Sequence, residues 1–190
     1  MRRHIAWVGL GLLVMALPAA LQADVAPLPE AEISEADDQF WRGFNLLHGR
    51  GVEPDAAQSM QWFQRAAEQG HLRSQVHLGM AYLKGRGVDV DRARAHEWLL
   101  KAADQGHPKA QLEVGILYME GGGVSRDRVE GAKWLMLSVY AGGPMVRAKV
   151  PHYLKTVPRP QYRMAQARAR AWRVERGLPV ADPKSPDASE

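Results

Sequence analysis

Cysteine is absent from all 190 residues. That excludes disulfide stapling, a thiolate-ligated zinc site, a thiol nucleophile and a lipid-modified cysteine near the N-terminus. Aromatic residues are scarce at 7%. Long apolar runs are missing too. The longest, Ile5 to Leu21, has 17 residues and is interrupted by Pro18. A comfortable membrane span needs about 20. No nucleotide loop is present. Gly-Arg-Gly-Val stands at 49–52 and 85–88, and Gly-Gly-Gly-Val at 121–124, but none continues into the Gly-Lys-Ser/Thr of a phosphate cradle.

The chain nonetheless has 46% hydrophobic residues, enough for a core. Without disulfides, that core must rest on burial and helix packing. The basic start Met1-Arg2-Arg3-His4, the short apolar run and Leu21-Gln22-Ala23 before Asp24 follow the three-part pattern of a secretory signal peptide. Residues 1–23 are therefore expected to be removed, leaving a periplasmic or secreted protein. The formal charge of +4 conceals an asymmetry. Residues 144–176 hold nine Lys/Arg against Glu175 alone, while the body before them is mildly acidic.

The body is a repeat. Gly43, Gly79 and Gly115 stand 36 residues apart, as do Gly49, Gly85 and Gly121, and Gly51, Gly87 and Gly123. The same interval links Val52, Val88 and Val124; Asp55, Asp91 and Asp127; Trp62, Trp98 and Trp134; and Gly70, Gly106 and Gly142. Each column has a physical reading. The aspartates suit helix N-caps, with Gln58 and Glu130 placed to complete capping boxes. Gly49, Gly85 and Gly121 suit the left-handed residue ending a first helix, and Gly70, Gly106 and Gly142 the end of a second. Gly43, Gly79 and Gly115 fall inside a helix, where glycine costs about 1 kcal/mol relative to alanine. That recurring cost predicts a close approach of the second helix, with its Trp covering the gap.

The pattern resembles the Sel-1-like repeat family, a relative of the tetratricopeptide repeat. The match is carried by Ala110-Gln111 through Gly115, Tyr118, Gly121 to Val124, Asp127, Trp134 and Gly142, and by the same positions of the unit before it. The resemblance implies an all-α fold: a right-handed α-solenoid of three helix-turn-helix repeats, 36–71, 72–107 and 108–143. Unit one departs at Asp38, Arg42 and Leu46, which fits a terminal unit with a solvated outer face. Residues 24–35 read as a flexible leader, and 177–190 as a Pro-rich, acidic, disordered tail. Residues 144–176 leave the repeat at Pro151 and read as a capping helix pair broken at Pro158 and Pro160. Ala165, Ala169 and Trp172 would pack inward, and Arg159, Arg163, Arg170 and Arg173 would face solvent.

Chemistry is not signalled. The seven histidines form no His-x-x-x-His or His-Glu-x-x-His pattern, so neither a metal nor a cofactor is expected. No nucleophile-elbow context is present, and enzymatic activity is not expected. Export argues against nucleic acid. By analogy with tetratricopeptide arrays, the first helices line a binding groove. Its columns would be Phe40/Val76/Leu112, Phe44/Met80/Ile116 and Leu47/Leu83/Met119, with Lys84 and Glu120 on a polar edge. This apolar, Met-containing set suits a protein partner, unless the C-terminal helices fill it or part of it is core. The arginine face offers a second reading, contact with anionic lipid or polysaccharide.

Overall fold

The computed structural model describes residues 34–180. The expected signal segment, the leader through residue 33 and the tail from residue 181 lie outside the described residues. The described residues fall within one compact unit. Its described residues form eight helices and no strand. They are α1 (Glu35–His48), α2 (Ala56–Glu68), α3 (Leu72–Lys84), α4 (Arg92–Asp104), α5 (Pro108–Glu120), α6 (Arg128–Ala141), α7 (Pro144–Leu154) and α8 (Arg159–Glu175). Helices α1 and α2, α3 and α4, and α5 and α6 pair within units. Contacts of α2 with α3 and of α4 with α5 stack the units into an α-solenoid.

Local chemistry sets the ends. Gly49, Gly85 and Gly121 close the first helices with φ of 65°, 66° and 76°, a left-handed conformation that a Cβ would strain. Asp55 accepts from the Gln58 N–H at 2.8 Å; Asp91 and Asp127 cap α4 and α6 likewise. The reciprocal half of a capping box is not made. The N–H groups of Asp55, Asp91 and Asp127 instead donate to the carbonyls of Leu46, Tyr82 and Tyr118, each at 3.0 Å. These bonds clamp each second helix to its first, so the Glu130 carboxylate is released to Lys133 and Arg168. The third unit also ends differently. Gly142 is extended, with φ −78°, because α7 follows at once and Val146 packs where its Cβ would be.

Close approach at the interior glycines is real, but the covering residue differs from expectation. A Cβ on Gly79 would lie 2.6 Å from Leu99 Cγ, and one on Gly115 2.7 Å from Leu135 Cγ. Phe63 takes this role over Gly43. The residue after each Trp covers the glycine, because one position along a helix turns the side chain by about 100°. Trp62 instead lies between Arg42 and Arg65, and Trp98 lies under Lys101 at 4.0 Å.

Stacking follows one rule. Side chains in the column Asp38/Ser74/Ala110 and the column Arg42/Leu78/Val114 face the preceding unit. In units two and three they are small or apolar and buried. In unit one they are exposed, and Arg42 pairs with Asp38 at 2.8 Å. Glutamines add polar stitches: Gln75 Nε2 donates to the Ala67 carbonyl at 3.2 Å, and Gln111 Nε2 to the Ala103 carbonyl at 3.1 Å. The rule continues one helix further than the sequence suggested. Val146 and Val150 of α7 occupy the same two columns and are buried. Helix α7 is thus placed like the first helix of a fourth unit. Its second helix never arrives, because α8 turns back onto α6. With no helix crossing α7, the glycine position can hold Pro151.

Sequence reading missed the N-caps of α3 and α5. His71 Nδ1 accepts from the Ser74 N–H, and His107 Nδ1 from the Ala110 N–H, each at 3.2 Å. An accepting Nδ1 must be unprotonated. Burial, and secondarily Lys109, pushes the His107 pKa below the usual histidine value; burial does the same first for His77 and His96. A lowered folded-state pKa means the unfolded chain takes up protons first as pH falls. Stability is therefore complete above about pH 6.5 and declines below it, down to the folded-state values. His107→Asn keeps a capping acceptor that does not titrate. It is expected to flatten the decline in melting temperature below pH 6.5 while leaving the neutral value within about 1 kcal/mol of wild type. An unchanged slope in thermal melts from pH 7.5 to 5 would show that His107 does not carry that linkage.

Candidate functional site

The face of a first helix left open is fixed by the three it buries. One side meets its own second helix, one the preceding unit and one the following unit. Phe40 and Leu112 are each 3% exposed, and Met119 is 4% exposed and packs on Gly131 of its own second helix, α6. They are core, not groove, and leave the expected site. Val76, Leu47 and Leu83 are half-buried against the same cores. Phe44, Met80 and Ile116 remain accessible in part. Lys84 and Glu120 are exposed as expected, Glu120 within 3.7 Å of Arg92.

The open face is the row set Asp37-Trp41-Phe44-His48, Arg73-His77-Met80-Lys84 and Lys109-Glu113-Ile116-Glu120. These are positions i, i+4, i+7 and i+11 of successive first helices, one helical stripe each. Trp41 is 46% exposed and lies edge-on to Phe40 and Phe44 at ring distances of 5.3 and 5.5 Å. His77 stacks on Phe63 at 4.9 Å. The unit-three end is bounded by Tyr153 of α7, whose phenol is held above the ordinary tyrosine range by burial and then by Glu120 and Glu113. Neither C-terminal helix lies over the row as a whole. Helix α7 packs on α5 and α6, and α8 on α6. Trp41 and His77 escaped sequence reasoning, although comparing unit one with the others at Asp38 and Arg42 identifies the stacking side and hence the open one.

The histidines do not converge on a ligand. His71 caps α3 and reaches Asp37 at 3.2 Å, while His48 donates to the Phe44 carbonyl at 2.9 Å. Among the described residues no group of three or more His, Asp or Glu could hold a metal. Two open hollows, of about 570 and 480 Å³, sit beside Tyr118 and Tyr82. They are one surface feature repeated at the 36-residue interval, and their aspartates, Asp127 and Asp91, are the helix caps.

The C-terminal arginines divide. Arg159, Arg163 and Arg170 are exposed. Arg173 is 8% exposed, its guanidinium 3.7 Å from the Tyr140 ring centroid, and its Nε donates to the Pro179 carbonyl at 2.9 Å. It fixes the turn after α8 and does not belong to a solvent-facing patch. Ala165, Ala169 and Trp172 are buried as expected.

Comparison with known proteins agrees with this geometry. A family model described as Sel1 repeat matches residues 36–71, 72–107 and 108–142. A Sel1 repeat protein from Oxalobacter formigenes is 36% identical with a TM-score of 0.58, over 62% of this chain and 34% of that one. The c5321 protective antigen of uropathogenic Escherichia coli, which displays an SLR fold, is 36% identical with a TM-score of 0.60, over 75% of this chain and 31% of that one. This chain thus spans about a third of the length of either structure. No curated protein matches it. Three contiguous repeat matches over more than half of the sequence, and the helix pairs they form, place the chain in the Sel1 repeat family.

Proposed function

We propose that this protein is an exported, non-enzymatic adaptor that holds a protein partner on the open face of its first helices. One observation carries the reading: Trp41, Phe44, His77, Met80 and Ile116 run across three units with polar residues on both sides, and neither α7 nor α8 covers the row. Sel1 repeat folds serve protein–protein contact in general. An apolar centre with a polar rim is the usual anatomy of such a contact, and aromatic residues supply most of its energy. The signal-like N-terminus and the absence of cysteine fit an exported protein that holds together without disulfides. The aspartates beside the tyrosine hollows are occupied as helix caps, which leaves them no catalytic task.

The test is comparative capture from envelope extract. Trp41→Ser is expected to lower retention of a bound protein about thirtyfold, the effect of losing an aromatic anchor. The melting temperature should stay close to that of wild type, since Trp41 contributes little to the core. A folded variant that captures the same proteins at the same level would remove the open face as the binding surface.

A further inference from the structure

The outer stripe of α8 carries a feature that the adaptor reading does not use. Arg159, Arg163 and Arg170 lie opposite the buried Ala165, Ala169 and Trp172. They form no ion pair among the described residues. Their neighbours differ: Arg168 pairs with Glu130 at 3.2 Å, and Arg176 with Asp104 at 3.6 Å. Three free guanidinium groups therefore share one helix face about 17 Å long. Exposed apolar side chains lie beside that stripe: Val174 borders it, and Met164 stands about a third of a turn away on its flank. Met164 is 52% exposed, Val174 58% and, just past the helix, Leu178 40%. They suit the headgroup–acyl boundary of a bilayer, where arginine meets phosphate and short apolar side chains enter the hydrocarbon edge.

We propose that the exposed face of α8 is a peripheral docking surface for bilayers rich in anionic phospholipid. Arg159, Arg163 and Arg170 engage the phosphates, and Met164 and Val174 enter between the headgroups. Arg173 is excluded from the contact and instead holds the Leu178 turn in place through the Pro179 carbonyl. A soluble acidic polymer would use the arginines but gain nothing from the apolar pair, so the lipid surface is favoured. Docking through α8 leaves the first-helix face free, and this proposal stands or falls separately from the adaptor reading.

The experiment uses the chain from Asp24 onward, which keeps all eight described helices and omits the apolar N-terminal run that would itself enter lipid. Co-sedimentation is measured with vesicles of phosphatidylglycerol mixed with phosphatidylcholine, and with phosphatidylcholine alone. Binding is expected to the anionic vesicles, weakening as salt rises from 0.05 to 0.5 M, by analogy with screened surface charge at about those strengths. Each arginine contributes about fivefold, so Arg159→Gln/Arg163→Gln/Arg170→Gln should lower partitioning about a hundredfold. Met164→Ser/Val174→Ser should lower it severalfold while leaving retention on heparin unchanged. Circular dichroism confirms folding of each variant. Absent or salt-insensitive binding overturns the proposal. So does full vesicle binding by the serine variant, which would show that charge alone draws the face to any anionic surface and that nothing in it selects a bilayer.

Discussion

Replacing Gly123 by alanine is expected to cost about 3 kcal/mol or more, whereas the same change at Gly51 should cost about 1 kcal/mol. Both glycines have positive φ, 78° and 73°, so both variants carry left-handed strain. The difference lies in what surrounds them. A Cβ on Gly123 would lie 2.3 Å from the Arg92 carbonyl carbon and 2.5 Å from the Ala93 nitrogen, whereas one on Gly51 would meet nothing within 4 Å. The obstacle is backbone, which cannot swing aside as a side chain can. Gly87 meets the Ala56 carbonyl oxygen at 2.5 Å in the same way. Each loop thus rests on the first turn of the preceding unit's second helix, and unit one has no described predecessor to rest on. Equilibrium urea unfolding of the two variants measures the contrast. Equal losses would mean that the loops do not lock consecutive units together.

Trp134→Ala is expected to cost about 3–5 kcal/mol, the usual range for a fully enclosed large aromatic. Trp98→Ala, at the same repeat position, should cost about 1 kcal/mol, because less apolar area returns to water. Trp134 is 2% exposed and meets Trp172 edge-on at 6.0 Å. Trp98 is half-buried, with Lys101 over its ring. Helix α8 makes the difference, since it lies on α6 and has no counterpart on α4. Trp172→Ala should therefore be strongly non-additive with Trp134→Ala and nearly additive with Trp98→Ala in the same unfolding assay. Similar losses at Trp98 and Trp134 would mean that α8 does not bury the last unit in solution.

Legibility varied with the range of the interaction. The aspartate caps and the glycine ends of the first helices follow from short-range backbone chemistry, and the residues state them directly. The histidine caps His71 and His107 were less legible, because a histidine caps only in the tautomer that accepts at Nδ1. The groove was partly legible. Columns 40, 44 and 47 are all apolar, and composition does not distinguish a side chain facing a neighbouring unit from one facing a partner. Phe40, Leu112 and Met119 were therefore assigned to the wrong side. Arg173 was misplaced for a related reason. It follows the helical spacing of a solvent-facing arginine, but the turn at Gly177 folds Pro179 back over it.

By itself the sequence determined the 36-residue period, the aspartate caps and the glycine ends of the first helices, the all-α class and the polar outer face of unit one, because each depends on residues within a few positions or on a strict repeat. Tertiary structure alone decided which stripe of the first helices stays open, that α7 begins a fourth unit, and that α8 abandons that unit to bury Trp134. Those outcomes depend on which surfaces lose the most apolar area to water when distant helices meet. A repeat pattern fixes the interval between helices but not the order in which the last two find their partners.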